Sequence, residues 1–204
     1  MDATTVTRVK ALLDITSSTH DTVLGTMVSA VSKRIETYID RPLEQSARTE
    51  EYDLRPRQNV IYLRAYPVAS IASVKISFDW DFSSATALST SDYHVDSEAG
   101  LLHLNYFPVL NYLSNNNATA PCVAQVVYTA GFSTSVSNLI SAYPDIAYAA
   151  DTQTVATWRR RDSPQGANIS LQGSSVGFEG PLEFVPDVAQ ALTPYRRLRF
   201  AANS

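Results

Sequence analysis

Apolar side chains recur along the first forty residues at the spacing of a helix surface. Val6, Val9, Leu12 and Leu13 fall three and four apart and predict a short opening helix. Ser17, Ser18, Thr19, His20 and Asp21 then suit a break and the capping of a second helix. Over residues 21–40, Val23, Leu24, Met27, Val28, Val31, Ile35, Tyr38 and Ile39 hold to i, i+3, i+4 steps, while Ser29, Lys33, Arg34 and Glu36 fall elsewhere on the wheel. Such a stripe is stable only against a partner surface, so this helix must pack on something. Pro42 ends it, because a proline pushes the residue before it out of the helical region.

From about residue 46 the period changes. Val60, Ile61, Tyr62 and Leu63 form a short apolar run, and Val74, Ile76 and Phe78 alternate with Lys75 and Ser77, the signature of strands. Tyr93 and Val95 lead through Ser97, Glu98, Ala99 and Gly100 into Leu101, Leu102, His103 and Leu104, which reads as a hairpin. A last strand runs through Val123, Gln125, Val126, Val127 and Tyr128. The polar stretch 79–91 and the run Asn115, Asn116, Asn117 suit solvent better than a core.

Helical signals return after Gly131. Pro144 and Asp145 open a segment carrying Ile146, Ala149, Ala150, Val155 and Trp158 as far as Arg161. Residues 162–184 hold Pro164, Gly166, Gly173, Gly177, Gly180 and Pro181 and predict a long loop, with one short strand around Ile169 to Leu171. Pro186 and Asp187 begin a final helix with Val188, Ala189, Ala191, Leu192 and Tyr195 toward Arg199 and Phe200, which Pro194 should kink or shorten.

Helices and strands are segregated in this order, which excludes a doubly wound parallel sheet. The expected fold is α+β: a small bundle of about four helices, residues 1–45 and 133–204, interrupted by an antiparallel β insertion at 46–132. No internal repeat is visible.

Composition narrows the function more than it changes the fold. The 204 residues are 45 % hydrophobic and 18 % charged, as in a globular chain. Arg8, Lys10 and Asp14 interrupt the opening Val and Leu residues, so neither a signal peptide nor a membrane span is expected, and the chain is expected in the cytoplasm. Cys122 is the single cysteine and lies in an apolar run, where a buried thiol is expected rather than redox chemistry. Sixteen bases against twenty acids give −4, the wrong sign for gripping nucleic acid, which disfavours a DNA-binding packaging factor. Between residues 65 and 140 one base, Lys75, meets five acids, Asp79, Asp81, Asp92, Asp96 and Glu98. Arginines gather instead as Arg159, Arg160, Arg161 and as Arg196, Arg197, Arg199; solvated helix ends explain such clusters as readily as binding does.

Catalytic patterns are weak. Gly173-Ser174-Ser175-Val176-Gly177 satisfies G-x-S-x-G, but Phe178, Glu179, Gly180 and Pro181 follow where a helix is needed. All three histidines, His20, His94 and His103, precede the serine, against the hydrolase order, so a small serine hydrolase using Ser175 is the remote alternative. His94 and His103 flank the expected hairpin turn without a further residue at ligand spacing. No phosphate-cradling glycine loop is present, and paired acids such as Glu50 and Glu51 sit among polar neighbours. Asn117-Ala118-Thr119 and Asn168-Ile169-Ser170 match a glycosylation pattern without a secretory signal. The expectation is no enzyme, no metal and no cofactor.

Three pieces, taken in order, resemble the head-tail connectors of tailed phages and gene transfer agents, the adaptor proteins seated beneath the portal. They are Ile35-Glu36-Thr37-Tyr38-Ile39-Asp40-Arg41-Pro42-Leu43; Leu63-Arg64-Ala65-Tyr66-Pro67-Val68 with Ile71 and Val74, followed by Val127-Tyr128-Thr129-Ala130-Gly131-Phe132; and Pro144-Asp145-Ile146 leading to Trp158 and Arg161. The helix from Pro186 to Arg197 also fits. The resemblance implies a helical core with a β insertion, a dodecameric ring in the virion neck, assembled in the host cytoplasm, and no catalytic residues. It implies a portal protein on one side and a stopper or tail protein on the other, with DNA passing through without specific binding; another neck or tail-completion protein is the alternative. Arg159, Arg160, Arg161, Tyr195, Arg196, Arg197, Arg199 and Phe200 are the expected portal or subunit interface, arginines meeting carboxylates and Phe200 serving as an apolar anchor.

Overall fold

A computed structural model of the chain describes residues 1–55, 58–106, 108, 122–161, 170–171, 174–175 and 184–197. Arg199, Phe200, the Asn115–Asn117 run and most of the expected 162–184 loop lie outside the described residues. The chain divides into two compact units, Met1–Leu43 with Ser135–Ser204, and Glu44–Thr134.

The first unit is helical: α1 (Val6–Leu12), α2 (Asp21–Ile39), α3 (Val136–Ala142), α4 (Pro144–Arg161) and α5 (Pro186–Leu192). A 3-10 turn, Thr193–Tyr195, continues α5 with Pro194 at its start, so the final helix is shortened as its proline predicts. α2 buries Leu24, Val28, Val31, Ile35 and Ile39, but Val23, placed on the same stripe by its spacing, is 41 % exposed. The helix stops because Asp40 takes the left-handed conformation at φ 55°, two residues ahead of Pro42. At its start His20 makes no capping bond; its ring meets Trp158 edge-on, centroids 5.2 Å apart. Val9, Leu24, Val28 and Trp158 form a core, with Val6, Leu13, Ile15, Met27 and Val155 packed around it.

α4 runs antiparallel to α2. Its last turn brings Trp158 to His20, while Asp145 in its first turn accepts from Tyr195 Oη at 3.4 Å, two residues before Arg197 N donates to Ile39 O at 2.8 Å. The inward face of α4 is unusually polar, with Asp151, Gln153 and Thr154 all buried. Thr154 Oγ1 bonds back to Ala150 O at 2.7 Å, and Gln153 Oε1 accepts from Val185 N at 3.0 Å, fixing the chain as it approaches α5.

α3 was not expected. Ser135 caps it by accepting from Asn138 N at 3.2 Å, and Leu139 is its buried residue, so a single anchor and a cap define a helix without a periodic stripe.

The second unit is β: β1 (Ser46–Asp53), β2 (Val60–Tyr62), β3 (Val68–Ser77), β4 (Tyr93–Asp96), β5 (Leu101–Leu104) and β6 (Val123–Ala130). Two antiparallel three-stranded sheets form, in the orders β1-β6-β3 and β2-β5-β4. The fold is therefore α+β, helices interrupted by antiparallel strands, with five α-helices among the described residues. β6 is central in its sheet and nearly continuously apolar, Val123, Ala124, Val126, Tyr128 and Ala130 being buried. The expected hairpin is present: Tyr93 pairs with Leu104, Asp96 with Leu101, and Gly100, at φ 68°, donates to Asp96 O at 2.9 Å. A Cβ on Gly100 would lie 2.9 Å from the Tyr66 side chain.

Glu50 and Tyr52 on β1 clasp Tyr128 on β6. Glu50 Oε2 accepts from Tyr128 Oη at 2.8 Å, from Tyr52 Oη, and from Arg64 N at 3.3 Å; Tyr128 Oη accepts from Ala65 N at 3.1 Å. Burial, with the bond to Glu50, pushes the Tyr128 phenol up to about 12 and the Tyr52 phenol higher still. This cluster is a satisfied structural network, each phenol held neutral.

Candidate functional site

Ser175 lies in β8 (Ser174–Ser175), which pairs with β7 (Ser170–Leu171), and the residues that follow it lie outside the described ones. His94 and His103 are directly opposite each other across the β4–β5 hairpin. Among the described residues no group of three or more His, Cys, Asp or Glu side chains is placed to hold a metal. No described helix is long and apolar enough to cross a membrane.

Cys122 is buried, and burial pushes its thiol up to about 11. At pH 8 its thiolate fraction is then about 0.1 %, against roughly a quarter for an ordinary thiol. Iodoacetamide should therefore label native protein at pH 8 at least about tenfold more slowly than urea-unfolded protein, the greater nucleophilicity of a weakly acidic thiol offsetting part of the fall in thiolate. Equal rates by mass spectrometry would show the site to be open.

The expected interface residues separate into two groups. Arg159, Arg160 and Arg161 are exposed on the last turn of α4, where cations suit the helix dipole, and the Arg161 guanidinium lies 4.0 Å from the Trp158 ring centroid. That is the end of the helical unit where α2 begins. Tyr195, Arg196 and Arg197 lie where α2 ends: Arg196 sits 4.9 Å over the Tyr38 ring and Tyr195 meets Tyr143 edge-on. The 19 residues of α2 hold these groups apart by about 27 Å. They are two surfaces, not one.

The second surface is built on an aromatic ladder that the spacing of residues did not reveal. Phe184 meets Tyr38 edge-on at 5.1 Å, and Arg34 covers its ring at 4.6 Å, so α2 binds both ends of the 184–197 segment. The first surface carries exposed apolar side chains, Leu12 at 54 % and Val23 at 41 %.

The β unit presents a different chemistry. Trp80 is 51 % exposed, at φ 65°, between Asp79 and Asp81. Asp79 Oδ1 accepts from Ser77 Oγ at 2.6 Å and Asp81 N at 3.0 Å, Asp81 Oδ1 accepts from Ser83 N at 2.8 Å, and Lys75 Nζ donates to Phe82 O at 3.0 Å. The bonds from Ser77 and Ser83 hold both carboxyls below their usual range. Residues 44–134 contain five bases and nine acids, and the remainder eleven of each, so the whole net charge of −4 belongs to the β unit.

Comparison with solved structures finds likeness over nearly the full chain. The neck of an empty gene transfer agent particle, computed with C6 symmetry, matches at TM-score 0.58 and 15 % identity, covering 97 % of this chain and 91 % of that one. A chain in the virion of a native gene transfer agent matches at 0.53 and 14 %, covering 92 % and 83 %. The neck of a native particle computed with C12 symmetry matches at 0.50 and 16 %, covering 90 % and 86 %. No curated protein matches the chain. A family model described as head completion protein matches residues 2–198, which takes in both units and bears out the resemblance to head-tail connectors. The chain belongs to the head completion protein family.

Proposed function

We propose that this chain is a non-catalytic structural subunit of a virion neck. It is an adaptor, assembled in the host cytoplasm, that forms a ring between the portal and a stopper or tail protein. The family match across residues 2–198 carries this reading, and the likeness to neck chains solved with C6 and C12 symmetry supports it. Twelve copies would sum twelve times the −4 of one chain, all of it from the β units. Acidic walls would repel DNA phosphates within about 8 Å, the reach allowed by screening, and let the duplex pass without specific binding.

Purified protein mixed with its candidate portal should give a stacked ring by electron microscopy. Portal rings that stay bare would refute the adaptor reading. Arg196, Arg199 and Phe200 are the proposed portal anchor, while Arg159–Arg161 form the separate subunit-facing surface. Because Tyr195–Arg197 serve the helical unit's own packing, the informative truncation removes 198–204. The truncated chain should keep its far-UV spectrum and lose portal binding; unchanged binding would move the anchor elsewhere.

A further inference from the structure

We infer that neighbouring copies join head to tail, the Trp80 turn of one seating on the arginine end of the next copy's helical unit. This rests on the ring reading and assigns its subunit contact. Two features of the Trp80 turn single it out. It offers a large apolar ring to solvent, and it flanks that ring with two carboxylates fixed by their own hydrogen bonds. Tryptophan is the side chain most often dominant at interfaces, and a pinned turn loses little entropy when it binds.

The complementary surface is on the same chain. Arg159, Arg160 and Arg161 end α4, with exposed Leu12 and Val23 at that end of the bundle. Guanidinium groups satisfy both demands of the turn, stacking on an indole face and pairing with carboxylates. The hairpin tip at Asp96 and Glu98 is equally acidic but lacks an aromatic anchor. Because the two patches differ, the contact is heterologous, the type that closes into a ring.

Trp80→Ala and the double variant Arg159→Glu/Arg160→Glu alter exposed positions, and circular dichroism verifies that each is folded. Ring formation by the full chain is read by native mass spectrometry, under whichever condition, alone or on its portal, assembles the wild type. Each variant alone should associate at least about tenfold more weakly, the loss of a central anchor. Mixed one to one, the variants should form a heterodimer and stop there, since each keeps the half the other has lost. Wild-type-like rings from either variant, no heterodimer in the mixture, or loss of portal binding with rings intact would overturn the inference and leave the ring reading standing. A wild type that forms no ring under either condition would overturn both.

Discussion

Gly131→Ala should destabilise the protein by at least about 3 kcal/mol, enough to lower the folded yield of the full chain. Gly131 has φ 137°, where an L side chain is strained. The clash is worse than the strain. A Cβ would lie 2.3 Å from Glu44 O and 2.7 Å from Gln45 N, both backbone atoms that no rotamer change can move. Those atoms are themselves fixed: Gln45 N donates to Ser133 O at 2.9 Å, Glu44 bridges Ser133, and Gly131 N donates to Pro67 O at 2.9 Å. Relief therefore requires breaking the pairing that closes the β unit. Gly25→Ala is the matched control. It lies within α2, its Cβ would meet only Val6 Cγ2 at 3.8 Å, and alanine's helix propensity should raise stability by up to about 1 kcal/mol. Urea unfolding of both variants separates the two effects by sign; a Gly131→Ala midpoint equal to wild type would show that the backbone at Glu44 can yield.

The same contrast explains what could be read from residues alone. α2 was legible because five buried apolar side chains repeat at helical spacing, and the β4–β5 hairpin because Gly100 marks its turn between two apolar runs. β1 was not, beyond a change of period near residue 46. Its sequence, SARTEEYD, has no apolar face, and it is a strand because all eight residues pair with the buried strand β6. Partners distant in sequence leave no local signal. The arginine clusters were visible as composition, but the 19-residue helix that sets them at opposite ends of the bundle belongs to tertiary structure. Trp80 had a faint signal, a large aromatic between two aspartates in a stretch otherwise suited to solvent. The polar residues of α4 conceal the most: Asp151 reads as a poor helix former and proves to be an anchor.

Asp151→Ala should cost about 2 to 4 kcal/mol, mostly by releasing the chain's first residues. The Asp151 side chain is 5 % exposed, and both oxygens are used. Oδ1 accepts from Thr4 Oγ1, and Oδ2 from Arg8 Nε at 3.2 Å and Nη2 at 2.7 Å. Removal leaves Thr4, itself 1 % exposed, without its acceptor inside the bundle, the costly half of breaking a buried pair. Arg8 is 44 % exposed and can rehydrate, which keeps the loss below that of a fully buried ion pair. Asp151→Asn keeps the shape and one acceptor oxygen, so its cost should fall between wild type and alanine. Hydrogen exchange gives the local test. Ala3 N donates to Ser32 Oγ at 2.8 Å, and α1 follows this segment directly in the chain, so amides 3–12 should lose protection in Asp151→Ala while the β unit keeps its own. Protection lost uniformly along the chain would mean that Asp151 supports the whole bundle rather than its N-terminal arm. Protection lost nowhere would mean that Val9, packed with Leu24, Val28 and Trp158, holds α1 in place without the carboxylate.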